Sequence, residues 1–379
     1  MRILLIGDAS NYHRALAGGL RSLGQDVVIA SNGSRWMNTE RDIDISRKPG
    51  KISGGILWLQ LMKLMLTKFR GYDIVEISNP IFIDQRPNRN NVLFKYLKNH
   101  NKSIFLSGLG TDTEYIRMSL DPKSKLKYNE WFVNGQPTPY HLHRSDIRDA
   151  WLNDPLKSHC DMVYNEIDGI VTALYEYNLS CQRTVPAHKV AYGGIPIDTE
   201  AISPVHIPER PSKVKLFLGM HSDRKLEKGT DRMLAAAKKV VEKYPDKCTL
   251  DIVENLPYNI YLERLRNAHV VLDQLYSYTP ATNALLAMAM GLNTISGGEE
   301  DFYNFIGEKD MRPVINALPD DDALYRTIED TVLHPELIRP RGMMGREFVR
   351  KHNDSTVVAK RFIDFWSKRL EDKRTPLRR

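Results

Sequence analysis

Short apolar runs bounded by turn residues recur along the chain, each followed by a stretch with helical spacing, and this alternation constrains the fold most. Residues 3–6, 27–30, 73–77, 103–107 and 169–173 read as buried strands. Between the first two, Tyr12, Leu16, Leu20 and Leu23 share a helical face, and Gly24 stops the helix. Strand–helix–strand alternation of this kind predicts a mostly parallel sheet with helices on both faces. A second series begins after a polar, proline-rich stretch. Strands are expected at 214–218, 249–253, 270–273, 293–296 and 313–316, with helices starting near Thr230, Tyr258, Pro280, Asp301 and Asp320. The pattern predicts two doubly wound α/β domains with ligands bound outside the carboxyl ends of the strands.

The length of 379 residues suits two domains of about 150–200 residues each. With 42% hydrophobic and 27% charged residues, the composition is that of a globular chain and not a disordered one. Cys160, Cys181 and Cys248 form no CxxC pair and no metal-like cluster, so a reducing compartment and no metal site are expected. The opening MRILLIGDAS reads as a first strand and not a signal peptide, and no apolar run reaches the roughly 20 residues of a membrane span. The expected location is cytoplasmic. A net charge of +7 points to an anionic partner: nucleic acid, an acidic membrane surface or a phosphorylated small molecule. Basic residues concentrate in the terminal KRTPLRR.

Two segments stand apart from the alternation. Residues 56–69 (ILWLQLMKLMLTKF) read as a crossover helix feeding the strand at 73–77, or as a helix in peripheral contact with the inner face of a membrane. Residues 118–160 are irregular and read as an insertion or acceptor-side loop; the pair His141 and His143 is a weak metal signal without further ligands.

The order of motifs resembles a known family. GDASNYHRALAGGLRSLGQDV resembles the opening of GT-B glycosyltransferases, and YGGIPIDTE their interdomain turn. LGMHSDRKLEKGTDRMLAAAKKV and LPYNIYLERLRNAHVVLDQLYSYTPATNALLAMAMGLNTISGGEEDF resemble the donor-side elements of the family 4 retaining enzymes. The resemblance covers nearly the whole chain. It implies two Rossmann-like domains facing across a cleft: 1–195 on the acceptor side, 196–352 binding the donor, and 353–379 as a returning helix and basic tail. It further implies transfer of a sugar, with retention, from a nucleotide sugar to a saccharide or lipid-linked hydroxyl, as in polysaccharide biosynthesis. No metal, no other cofactor and no nucleic acid is implied. Two departures stand out. The Glu-x7-Glu pair of family 4 is replaced by Tyr278 and Leu286, and the arginine after the glycine of its "GR" motif by Met220.

A departing diphosphate needs positive charge and N–H donors where its own charge builds up. Lys228 stands before Gly229 and a helix start, and Arg224 lies four residues earlier; these are the candidate catalytic groups. Gly229, Thr282 and Asn283 are candidates for holding the donor through backbone N–H groups, the last two at a helix opened by Pro280. Glu299 and Glu300 bind donor sugar or ribose, or else cap the next helix. On the acceptor side, Asn11, His13 and Asp112 lie at the carboxyl ends of strands. The loop GDASNYH lacks the GxGxxG fingerprint, which argues against a dinucleotide enzyme. A sugar-nucleotide epimerase and a catalytically silent sugar-binding module of the same fold remain open alternatives.

Overall fold

The structure is a computed structural model that describes residues 1–34 and 37–374. Residues 375–379, most of the basic tail, lie outside that range. The chain divides into two compact units: residues 1–118, 146–198 and 354–379 form the first, and residues 119–145 and 199–353 the second. Residues 119–145 thus join the second unit, although they fall within the expected first domain.

In the first unit, β1 (Arg2–Ile6), β2 (Asp26–Ser31), β3 (Ile43–Asp44), β4 (Ile74–Ile77) and β5 (Ser103–Gly108) precede the hairpin of β6 (Phe132–Val133) and β7 (Gln136–Pro137), which belongs to the second unit. Then β8 (Gly169–Thr172) and β9 (Val190–Tyr192) complete a seven-stranded sheet of order β3-β2-β1-β4-β5-β8-β9. All its pairings are parallel. Ile3, Leu4, Leu5 and Ile6 are all buried, as a strand covered on both faces requires. The helix Ser355–Arg374 packs along the helix Tyr12–Ser22, burying Val358, Phe362 and Trp366. Arg361 donates to the Gly193 carbonyl at 2.8 Å, and Phe362 meets Tyr12 edge-on.

The second unit carries β10 (Val214–Met220), β11 (Cys248–Glu254), β12 (Val270–Leu272), β13 (Asn293–Ser296) and β14 (Ile315–Asn316) in the order β11-β10-β12-β13-β14, again all parallel. Its core gathers Leu216, Phe217, Val270, Val271 and Ile295 with Met233, Ala237 and Val240 of the helix Thr230–Lys243. The strand order reverses between β10 and β12, because one crossover leaves to each side. Their carboxyl ends therefore open the place where doubly wound sheets bind ligands.

Candidate functional site

The two loops that leave this switch point supply the first residues of the site. After β10 the chain makes a short turn and the helix Lys225–Lys228, and Gly229 at φ 67° starts the helix Thr230–Lys243. A Cβ at Gly229 would stand 2.8 Å from Leu275 Cβ and against the Tyr276 ring, so glycine is required by both conformation and space. The tight fit is fixed by the Leu275 N–H donating to the Lys228 carbonyl at 2.8 Å.

Asp273 follows β12 and is buried. Lys228 Nζ lies 3.6 Å from its Oδ1, which also accepts from Asn283 Nδ2 at 3.1 Å, while Ser296 Oγ donates to Oδ2 at 3.1 Å. Tyr261 in turn donates its hydroxyl to Asn283 Oδ1 at 2.6 Å. Three segments meet at one carboxylate, and a fourth reaches it through Asn283. The helix Thr282–Ala289 has Asn283 as its second residue, and its first N–H groups have no partner within the helix, as at any helix start. The buried anion holds Lys228 and Asn283 in place beside the N-terminal ends of two helices, a combination suited to binding phosphate oxygens.

A second cluster lies along the loop from Asp273 to Asn283. Glu299 Oε1 accepts from Tyr128 Oη at 2.8 Å and from Asn316 Nδ2 at 2.7 Å, and the Gly298 N–H donates to Asn316 Oδ1. Among the described residues Glu299 Oε2 has no hydrogen bond, and the side chain is half-buried. The Tyr278 ring lies 4.8 Å from that of Tyr128, and its hydroxyl accepts from the Lys127 N–H at 2.6 Å. The stretch 119–145 is thereby bound to the rest of the second unit through Tyr278 and Glu299. Gly297 is required here too, because a Cβ would overlap the Ser277 carbonyl.

Lys228, Gly229, Thr282 and Asn283 are thus brought together, and Glu299, which follows β13, is tied to the loop before Asn283 by its N–H donating to the Tyr278 carbonyl at 3.1 Å. Arg224 and Glu300 are not. Arg224 turns its guanidinium onto Glu227, one helical turn on, and Glu300 pairs with Arg312 at the surface. His141 meets Trp131 and Phe132 edge-on, and among the described residues no cluster of His, Cys, Asp or Glu is placed to hold a metal ion.

The acceptor-side candidates diverge. His13 is fully buried, 2.6 Å through Nδ1 from the Gly7 carbonyl and 3.1 Å through Nε2 from Ser107 Oγ. Burial lowers its pKa, so the ring is neutral, with Nδ1–H donating to Gly7 and Nε2 accepting from Ser107. As a core residue it has no face for an acceptor, which removes it from the expected set. Asp112 is buried as well, accepting from the Tyr115 N–H at 2.8 Å and the Tyr164 hydroxyl at 2.7 Å, and burial pushes its carboxyl up to about 6. Its oxygens serve a helix start and the core. Asn11 adopts a left-handed conformation (φ 65°), and its Oδ1 is buried without a partner among the described residues. Of the three, Asn11 alone keeps an unused polar atom.

Asp273, Asn316, Tyr128, Tyr261 and Ser296 were not among the expected site residues. Asp273 had a signal, an acid closing an apolar strand at a carboxyl end; Tyr128 had none, because its partner Glu299 lies 171 residues away.

No family model and no curated protein matches the chain. Solved structures match over nearly its whole length. Sucrose-phosphate synthase from Thermosynechococcus elongatus superposes with a TM-score of 0.60 at 14% identity, covering 97% of this chain and 99% of that one. HepE from Anabaena, solved with UDP and glucose, gives 0.59 at 10% identity, covering 97% and 99%. TarM from S. aureus, solved with UDP, gives 0.54 at 10% over 82% of this chain; the match spans only 58% of TarM. A putative UDP-N-acetylglucosamine 2-epimerase from Listeria monocytogenes is also among the matches. These likenesses establish a GT-B fold of two Rossmann-like units.

Proposed function

We propose that the chain is a glycosyltransferase that moves a sugar from a nucleotide sugar to a hydroxyl of a saccharide or lipid-linked acceptor. The observation that carries the reading is Lys228 held by buried Asp273 at the switch point of the second unit, with two helix N-terminal ends beside it. In the reaction, the bond from the anomeric carbon to the diphosphate oxygen breaks and one to the acceptor oxygen forms; the acceptor's proton leaves with the diphosphate. Lys228 and the N–H groups at Thr230, Thr282 and Asn283 stabilise the charge growing on the leaving oxygens. Glu299, through its unused Oε2, takes a ribose or sugar hydroxyl in place of the family glutamate that Leu286 has displaced. Arg224 joins only if it leaves Glu227 when the donor binds. Asn11 is the candidate for the acceptor hydroxyl, and retention of configuration follows from the family resemblance.

The loss of both family glutamates favours one other reading, a module that binds the nucleotide sugar without turning it over. A thermal shift with UDP and UDP-glucose, followed by an assay for released nucleoside diphosphate, tests both. At about 100 times Kd a ligand adds roughly 2.7 kcal/mol of stability. Stabilisation with turnover supports the transferase, stabilisation alone the silent module. Recovery of an epimerised sugar nucleotide would replace both readings, and no stabilisation by any nucleotide would remove the donor site from the second unit.

A further inference from the structure

The helix Ser53–Thr67 of the first unit carries large apolar side chains on opposite sides, with Gln60 and Lys63 among its exposed polar residues, yet protein covers only one side. Leu57, Leu61 and Met65, four residues apart, are buried against the sheet with Phe69 beyond them. The opposite stripe faces outward. Ile52 is 76% exposed, Ile56 59%, Leu59 68%, Met62 44% and Leu66 70%. A helix that is apolar on opposite sides belongs in an environment that covers both, and single exposed leucines are ordinary whereas a continuous stripe is not. The charge along this segment is one-sided, with Asp44 and Asp84 beside it engaged by Arg41 and Arg47. From residue 45 to residue 72 the chain has no aspartate or glutamate and six basic residues. Five of these, Lys48, Lys51, Lys63, Lys68 and Arg70, are exposed and make no ion pair among the described residues; the sixth, Arg47, pairs with Asp84.

We infer that this face docks on an anionic lipid bilayer, with the helix lying in the plane of the interface. The apolar stripe enters the boundary of headgroups and acyl chains, and the flanking cations meet the lipid phosphates. Charge complementarity selects the bilayer over a second copy of the chain, because two such faces brought together would oppose their cations. Among the described residues no helix is long and apolar enough to cross a membrane, so contact is with the surface. The inference is independent of the reaction proposed above.

Vesicle sedimentation of the full chain tests it, with phosphatidylcholine alone and with phosphatidylcholine and phosphatidylglycerol in equal parts. Binding to the anionic vesicles is expected to be at least about tenfold tighter, and to weaken in about 0.5 M salt. The double variant Leu59→Ser/Leu66→Ser, changed only at exposed positions, should bind at least about tenfold less while melting as wild type does. Lys63→Gln/Lys68→Gln should reduce the preference for phosphatidylglycerol and leave binding to neutral vesicles unchanged. Failure of the wild-type chain to sediment with anionic vesicles, which needs no variant, would overturn the assignment. So would equal binding by the serine variant, or a dimer in solution that the serine substitutions dissociate.

Discussion

Glu76, on β4, is surrounded by the first unit's core, and burial pushes its carboxyl up to about 8. At neutral pH it is protonated, which makes one chain of donors consistent. Glu76 donates to Ser107 Oγ, Ser107 to His13 Nε2, and His13 Nδ1–H to the Gly7 carbonyl, while Trp366 Nε1 donates to Glu76 Oε2. In the unfolded chain this carboxyl ionises in the ordinary range. Between roughly pH 4.5 and pH 8 the folded state therefore keeps a proton that the unfolded state has lost, and stability falls as pH rises through that window. The slope is at most about 1.4 kcal/mol per pH unit. Glu76→Gln keeps a donor for Ser107 and an acceptor for Trp366, so its melting temperature should fall less than that of wild type between about pH 6 and pH 8. Parallel melting curves would mean that the group is ionised inside the fold. Lys228 is the second residue with a separable role. Lys228→Ala should lower kcat/KM by about 10²–10³, the scale for one charge-stabilising donor. It also leaves buried Asp273 with Asn283 and Ser296 alone, so some stability should go as well. Lys228→Ala/Asp273→Asn should restore melting but not turnover. Recovery of turnover in the double variant would make Lys228 a mere counter-ion.

Among the elements, the helix Ser355–Arg374 carries the clearest consequence. It buries Phe362 and Trp366, and Gly19 lies so close to the Ser355 backbone that a side chain has no room there. Removing everything after Asn353 should expose that surface and leave Glu76 without its indole partner. We expect insoluble protein or a melting temperature lower by many degrees; unchanged melting would show that the helix adds nothing to the first unit. Such elements were legible in the sequence because buried parallel strands are continuous apolar runs, whichever neighbours they pair with. The strands β3 and β9 were not, being two and three residues long and dependent on a neighbour already in place. The burial of His13 and Asp112 was illegible for a related reason. A polar residue at a strand end looks the same in sequence whether it faces solvent or, as here, satisfies core groups.

For the whole molecule, the twofold α/β alternation made two doubly wound units readable, and the order of motifs their resemblance to the GT-B fold, whereas the membership of residues 119–145 was invisible. Nothing local in that stretch distinguishes a loop of its own half from a piece of the other. Its place depends on Tyr128 and Lys127 finding Glu299 and Tyr278, pairings that leave no periodic mark. The chain passes between the two units after residues 118, 145, 198 and 353. Neither unit is therefore an uninterrupted stretch of gene. During synthesis the early portion of the second unit must wait until Tyr278 and Glu299, 151 and 171 residues further on, have been made. A recombination event that exchanged the chain downstream of the single boundary near residue 199 would import a Glu299 without its tyrosine. Exchange of the second unit with relatives of this fold is thus restricted to events that carry both segments together.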